Sequence, residues 1–304
     1  MASTALTTTG AVARRLRAGG TDWRGWILEA ALLLSLLAAL GVLLVLLADI
    51  VGTAAPVFGE RPVEFLTSSL SARPERAGIV QGLMGSLLVT LIVVVGALPI
   101  GIGAAIYLEE YATDTRLSRL IRTNIRNLAG VPAIVYGLLG LAVFVTVLGM
   151  GRILLAGGLT LAILVLPIVV ITTSEALAAV PGSIREAAFG VGATRWETIR
   201  SHVLPYAAPG ILTGTILSLA RAFGETAPLL LVGAIAGTFS AAGGPIDQVT
   251  SPYTTLPTIV FHWAGYPQDE FRALGAAAIA VLLVVILLVN AAAIILRNRY
   301  DRTW

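Results

Sequence analysis

The sequence predicts an all-α integral membrane protein with six transmembrane helices, for three reasons. The chain is 57% hydrophobic and 12% charged, whereas about a quarter of the residues of a soluble domain are charged. Its mean hydropathy is +0.91, and apolar runs long enough to cross a bilayer recur along it. Arginines concentrate in alternate connecting segments, which is the distribution that the positive-inside rule describes.

The expected crossings follow one another along the chain. The first apolar run is longer than the hydrophobic core of a signal peptide, so we expect it to be an uncleaved helix. We expect residues 1–22 and 298–304 to be cytoplasmic tails and residues 23–297 to form the transmembrane domain. The predicted spans are Ala30–Ala48, Ile79–Leu108, Leu128–Leu148, a fourth ending near Ala179, a fifth from about Pro205 past Glu225, and Leu274–Leu296.

The arginines also predict the orientation. Fourteen lie in the segments on the side of the two termini and five in the segments on the opposite side. Cytoplasmic loops are enriched in basic residues. We therefore expect both termini in the cytoplasm.

Residue types that are missing exclude several kinds of site. The sequence has no lysine, so the chain lacks the phosphate-binding lysine of a P-loop ATPase. It also has no cysteine, which excludes disulfides and thiolate chemistry. His202 and His262 are the only histidines, so we expect no metal site and no cofactor in this chain.

The connecting segments carry less specific expectations. We expect a polar loop over 52–76 and a long outer loop over 237–268. Within the latter, Leu256–Trp263 is predicted to lie on the membrane surface, with Trp263 as a membrane anchor or as a contact for a partner. Glu109 and Glu110 follow a span beside other charged residues, which favours solvated interface charges.

Arg221 and Glu225 are the charged residues that most need an explanation. They interrupt an apolar stretch, and an ionisable residue inside a membrane usually marks a functional site. Pro228 removes one helical hydrogen bond, so the helix should break just after Arg221. Arg221, Gly224, Glu225 and Thr226 would then face one wet pocket suited to an oxyanion. A salt bridge that only locks two helices is the alternative.

Residues 181–205 predict two short helices that meet at a glycine corner. Ser183 to Glu186 and Thr194 to Glu197 both have the form of a capping box. Gly192 lies between them, where a sharp turn needs a permissive backbone. Trp196, Ile199 and Val203 should share one apolar face of the second helix.

The same segment resembles the EAA motif of bacterial ABC importer permeases, with His202 where the family usually has an apolar residue. In that family the segment docks on a separate ATP-binding subunit, and we therefore name residues 181–205 the coupling segment. The resemblance implies that the ATPase-docking residues are Glu186, Ala187, Ala188, Gly192, Trp196, Leu204 and Pro205.

Further stretches resemble the phosphate-specific transport permeases of the PstA type. In that family an arginine and a glutamate matching Arg221 and Glu225 are tied to phosphate translocation. The stretches are Ala105–Ala112, Asn127–Leu138, Arg221–Leu229 and Ser251–Pro257.

The resemblance implies a permease subunit of an ATP-driven phosphate importer in the bacterial inner membrane. Its expected partners are a PstC-like permease, two PstB-like subunits that hold ATP and Mg²⁺, a PstS-like phosphate-binding protein and membrane lipid, but no nucleic acid. Three alternatives stay open: transport of another oxyanion such as sulfate or molybdate, an enzyme acting on phospholipid headgroups, and a non-transporting scaffold or sensor.

Overall fold

The structure is a computed structural model that describes residues 23–234 and 245–300. Within these ranges every regular element is a helix. The α-helices are α1 (Trp23–Glu60), α2 (Pro62–Thr67), α3 (Val80–Ile106), α4 (Arg116–Ala129), α5 (Ala133–Gly140), α6 (Leu154–Ala178), α7 (Gly182–Gly190), α8 (Arg195–Thr198), α9 (Leu204–Gly224), α10 (Ala227–Val232), α11 (Pro245–Val249), α12 (Leu256–Ala264) and α13 (Asp269–Tyr300). π-helical segments continue α3, α5 and α8 over Tyr107–Tyr111, Leu141–Val147 and Ile199–Val203.

Five helices, namely α1, α3, α6, α9 and α13, are long and apolar enough to cross a membrane. A sixth crossing forms if α4 and the α5 segment count as one span, and these two meet at a bend of 102°. The predicted third span, 128–148, is therefore not one straight helix, because the bend separates Arg116–Ala129 from Ala133–Val147. Pro132 explains the break, because a proline disfavours the helical conformation of the residue before it.

The predicted tails fall mostly outside the described residues, although α13 continues past 297 to Tyr300. The chain divides into two compact units, Met1–Gly52 and Thr53–Trp304. In the described part of the first unit, the side chains are mostly apolar and exposed, as expected for a helix that faces lipid.

The second unit begins inside α1. The prediction of a polar loop over 52–76 is wrong in part. The helix continues to Glu60, and α2 follows it. Ala54 and Val57 are buried, and they belong to the same apolar cluster as Phe65 of α2. Packing against this cluster stabilises helical turns that the local sequence alone does not favour.

α3 and α6 form the centre of the second unit. Their facing residues, including Val93 and Val165, are fully buried in one apolar cluster. Small residues allow this close packing, because a Cβ at Gly101 would lie 2.8 Å from Val169, and one at Gly158 would lie 2.7 Å from Ile92. The two helices therefore act as one tightly packed pair.

α12, which contains the predicted surface segment Leu256–Trp263, folds into the bundle rather than lying on a membrane surface. The Leu256 amide donates to Ser86 Oγ of α3 at 2.9 Å. Trp263 is 2% exposed and packs against Phe65 and Phe271. The expectation of an interfacial Trp263 is therefore wrong, because burial among these aromatic rings offers it more apolar contact than the interface does.

We predict that Gly85→Ala destabilises the fold. A Cβ at this position of α3 would lie 1.8 Å from the carbonyl oxygen of Thr254. Relief of such a clash requires backbone movement, and overpacking typically costs about 1–3 kcal/mol. The measurement is the thermal unfolding midpoint of the detergent-solubilised protein.

Gly103→Ala is the matched control in the same helix, since a Cβ at Gly103 meets nothing within 4 Å. The control should unfold at the wild-type temperature or slightly above it, because alanine favours a helix more than glycine does. Equal midpoints for the two variants would contradict the close contact.

Candidate functional site

The coupling segment forms the two helices and the glycine corner that its sequence predicts. α7 ends at Gly190, and α8 begins at Arg195. Gly192 lies between them with φ +88°, in the left-handed region that favours glycine. The turn at Gly192 therefore requires this residue type.

Only the second of the two predicted capping boxes forms. The Glu197 amide donates to Thr194 Oγ1 at 3.3 Å, and the Thr194 amide donates to Glu197 Oε2 at 2.8 Å. The first prediction is wrong, because α7 begins at Gly182 with Pro181 in the capping position and has no side-chain cap. Ser183 therefore lies inside the first turn of α7, two residues after the capping position.

The coupling segment presents an exposed surface with apolar side chains. Glu186, Ala187, Gly192 and Pro205 are exposed, and Leu204 is partly buried. Trp196 is 54% exposed. Phe189 and Val191, which the docking prediction did not include, are 49% and 85% exposed.

Two features of the coupling segment differ from expectation. Ala188 is 5% exposed, so it packs inside this chain and offers almost no side-chain surface to a partner. Ile199 and Val203 are buried, whereas Trp196 points outward. The predicted common face is divided because the π-helical turn from Ile199 changes the register of the side chains.

Glu109 and Glu110 are not solvated interface charges. The Arg122 guanidinium donates to Glu109, and the Arg185 guanidinium donates to Glu110. The Glu110 side chain is only 8% exposed. The expectation failed because both arginine partners lie on helices that approach this turn only in the folded chain.

The predicted helix break near Arg221 forms three residues beyond it. α9 ends at Gly224, Glu225 is extended, and α10 begins at Ala227 with Pro228 in its first turn. Pro228 is accommodated there because the first amides of a helix have no intrahelical acceptor. The Pro228 backbone packs against α5, where a Cβ at Gly137 would lie 2.6 Å from its Cα.

Arg221 and Glu225 meet across the end of α9. Arg221 Nε donates to Glu225 Oε1 at 3.2 Å, and the two side chains are 50% and 19% exposed. Within residues 23–234 and 245–300, Glu225 is the only polar partner of this guanidinium, which carries five N–H donors. Most of its donor capacity thus remains open to another acceptor.

The four predicted translocation residues are all at least partly accessible at the break. Arg221 and Gly224 are exposed, and Glu225 and Thr226 are partly exposed, whereas the intervening Ala222 and Phe223 are buried. The buried residues hold the end of α9 against the bundle. The polar ones consequently face outward from this chain.

The packing register places Arg221 level with the middle of the neighbouring helix α6. α9 runs antiparallel to α6, with Gly210 close to Ala176 and Gly214 close to Thr172. Because both helices rise equally per residue, the same register brings Arg221 level with about residue 165. That position is near the middle of α6, a candidate membrane span.

Comparison with known proteins identifies this architecture. Residues 97–302 match the model of the family described as binding-protein-dependent transport system inner membrane component. The chain belongs to this family. It is a multi-pass inner membrane permease of an ABC transporter, whose ATPase is a separate subunit and which works with a binding protein.

Individual relatives give the same family. The permease is 36% identical over 233 residues to the phosphate transport system permease protein PstA of Xylella fastidiosa, which covers 75% of this chain and 78% of that one. It is 33% identical over 243 residues to the probable ABC transporter permease protein YqgH of Bacillus subtilis, covering 77% of each.

A bacterial alginate ABC transporter in complex with an alginate-bound periplasmic protein contains a similar fold. The TM-score is 0.68 at 16% identity, over 94% of this chain and 99% of that one. The permease therefore has the type I ABC importer fold. Membership of the binding-protein-dependent transport family replaces the alternative of a membrane-embedded enzyme.

Residues at the turn after α3 are functional candidates that the sequence reasoning missed. Tyr111 and Glu110 of this turn contact Arg195 and Arg185 of the coupling segment. The sequence signal available was the pair of acidic residues directly after an apolar span. Their partners could not be read from it, because Arg185 lies 75 residues further along the chain.

We predict that Thr194→Ala loosens α8, because the variant loses the hydroxyl that accepts from the Glu197 amide and donates to the Glu197 carboxylate. Amide exchange in residues 195–198 should become roughly fivefold faster, which corresponds to the usual contribution of a helix cap. Hydrogen–deuterium exchange of the purified protein measures this. Ser183→Ala is the matched control, since Ser183 caps no helix, and faster exchange in α7 of that variant would contradict the assignment.

Proposed function

We propose that this permease imports inorganic phosphate across the bacterial inner membrane, driven by ATP hydrolysis in its partner subunits. The observation that carries the proposal is the Arg221–Glu225 pair level with the middle of α6, with guanidinium donors open to an acceptor. A guanidinium fork matches the oxygens of a phosphate. The similarity to a phosphate permease of Xylella fastidiosa supports the choice of anion.

A second permease subunit is part of the proposal because of where Arg221 points. Its side chain is 50% exposed in the isolated chain, and direct exposure of a charge to lipid at this depth is costly. A PstC-like subunit packed over this side would exclude lipid and leave a wet path between the two subunits. Irregular backbone, such as that of Glu225, is tolerated where it lines such a path.

The exposed surface of the coupling segment is the proposed docking site for one of two PstB-like ATPase subunits, which would hold ATP and Mg²⁺. Trp196 and Phe189 supply exposed aromatic area there, and aromatic residues are enriched at the centres of protein interfaces. The proposal includes a cytoplasmic location for the coupling segment and both termini, which the arginine distribution supports. A PstS-like protein would deliver phosphate from the opposite side.

Glu225 has two proposed roles in transport. Between ions it neutralises Arg221, as the 3.2 Å contact allows. During passage it accepts a hydrogen bond from protonated phosphate, whereas sulfate has no proton to donate at neutral pH. Conduction also requires weak binding, and a single carboxylate beside the arginine keeps the anion from being held too tightly.

We predict that Arg221→Gln lowers phosphate uptake by about tenfold or more, the range expected for loss of a charge-assisted hydrogen bond. Uptake of radiolabelled phosphate by cells that express the whole transporter is the measurement. Arg221→Lys, which keeps the charge but loses the fork, should retain partial uptake. Both variants should co-purify with the ATPase subunits, and wild-type uptake by Arg221→Gln would refute the role of this residue.

Competition separates phosphate from the alternative oxyanions. Unlabelled phosphate should suppress the uptake of labelled phosphate, and equal concentrations of sulfate or molybdate should not. If sulfate or molybdate competes as well as phosphate does, the chain carries another oxyanion by the same architecture.

We predict that Ala187→Asp weakens binding of the ATPase subunits. Ala187 is exposed on α7, so the new carboxylate would be desolvated at the proposed interface without disturbing the core. Ala188 is unsuitable for this test, because it is buried and its replacement would damage the fold itself.

The measurement is the amount of ATPase subunit that co-purifies with the tagged permease. Thr123→Asp provides a matched control, since it adds the same charge at an exposed position of α4, outside the proposed interface. Equal recovery of the ATPase subunit from both variants would exclude docking at α7.

A further inference from the structure

The π-helical turn Tyr107–Tyr111, which ends α3, contacts both helices of the coupling segment. Glu110 of this turn pairs with Arg185 of α7. The Tyr111 ring lies 5.2 Å from the guanidinium carbon of Arg195 in α8, within the range of a cation–π contact. The coupling segment is thus connected to the end of a transmembrane helix by two separate polar contacts.

The pair formed by Glu110 and Arg185 has a well-defined geometry. Arg185 Nε lies 3.2 and 3.3 Å from the two carboxylate oxygens of Glu110, and Nη2 donates to Oε1 at 2.6 Å. The two side chains are only 24% and 8% exposed. A two-nitrogen contact of this kind fixes orientation as well as distance.

The same guanidinium also binds the end of α6. Nη1 donates to the Val180 carbonyl at 2.9 Å, and Nη2 donates to the Leu177 carbonyl at 3.0 Å. Carbonyls at the C-terminal end of a helix lack intrahelical partners. Arg185 therefore joins three elements: α7 through its own backbone, α6 through these carbonyls, and α3 through Glu110.

α3 and α6 are the helices whose movement would matter for transport. They pack against each other through close contacts at Gly101 and Gly158, so a displacement at their shared end is transmitted along both. α6 in turn packs on α9, the helix that carries Arg221, through Gly210 and Gly214. A continuous series of packed elements leads from α7 to the candidate translocation site.

We propose that Glu110 and Arg185 are positioning residues that transmit movement of the coupling segment to the α3–α6 pair. The proposal rests on the proposed function, in which an ATPase subunit docks on α7. Displacement of α7 carries Arg185 with it, and the bidentate pair carries the ends of α3 and α6. Loss of the pair leaves ATP hydrolysis intact, but movement of α7 is no longer transmitted to the helices that line the path.

The neighbouring residue Glu109 provides a matched control. It belongs to the same turn and also pairs with an arginine, but that partner is Arg122 of α4, outside the coupling segment. Glu110→Gln and Glu109→Gln each remove one charge and keep nearly the same side-chain shape. Only Glu110→Gln should remove the ion pair between the coupling segment and the end of α3.

The test uses the complete transporter reconstituted in proteoliposomes. Phosphate is supplied on the side of the membrane that carries the binding protein. The measured quantity is the number of phosphate ions transported per ATP hydrolysed, together with recovery of the ATPase subunit. Glu110→Gln should lower this ratio on the order of tenfold, the range of coupling effects produced by residues between two sites. Glu109→Gln should keep the wild-type ratio.

Each other outcome argues against the proposal. An unchanged ratio in Glu110→Gln, with the complex intact, shows that the pair transmits nothing. Loss of the ATPase subunit from Glu110→Gln alone shows that the pair only shapes the docking surface. The wild-type arm tests the proposed function separately: if the unaltered complex fails to assemble or to carry phosphate, that proposal fails, whatever the variants do.

Discussion

A guanidinium group has five N–H donors, and the hydrocarbon of a bilayer offers no acceptor for any of them. Each arginine near the membrane must therefore find acceptors in protein, water or a passing ligand. Arg185 and Arg221 satisfy this requirement in opposite ways. Arg185 is mostly buried and bonded to a carboxylate and two carbonyls, whereas Arg221 is half exposed and, among the residues that the structure describes, bonded only to Glu225.

This difference fits the different roles that we propose for the two residues. A saturated guanidinium fixes the positions of the elements that it joins, because any displacement breaks several charge-assisted bonds at once. In the proposed transport, a guanidinium with open donors would bind an anion briefly and then release it. Arg185 would thus fix the coupling segment, and Arg221 would receive the anion at the break between α9 and α10.

The helices between these arginines are arranged to connect them. Glycines and other small residues allow α3, α6 and α9 to pack closely at several points along their lengths. The break after Gly224 then separates α9 from α10, which packs on α5 through Pro228. A tilt of the packed helices relative to α5 would change the surroundings of Arg221 without requiring any helix to unfold.

The sequence by itself determined the features that depend on local physics. Apolar runs predict most of the spans, Thr194 and Glu197 predict a helix start that forms, and Pro228 predicts the break near Arg221. Each of these depends on residues within a few positions of one another, whose backbone preferences act whatever the rest of the chain does.

The tertiary structure alone decided the contacts between distant segments. The burial of Trp263 depends on Phe65, and the pairing of Glu110 depends on Arg185, 75 residues away. Ala188 and Trp196 likewise look equally available in the sequence, yet the fold buries one and exposes the other. The sequence around a polar or aromatic residue does not show which distant residue it contacts, because the packing of whole helices decides that contact.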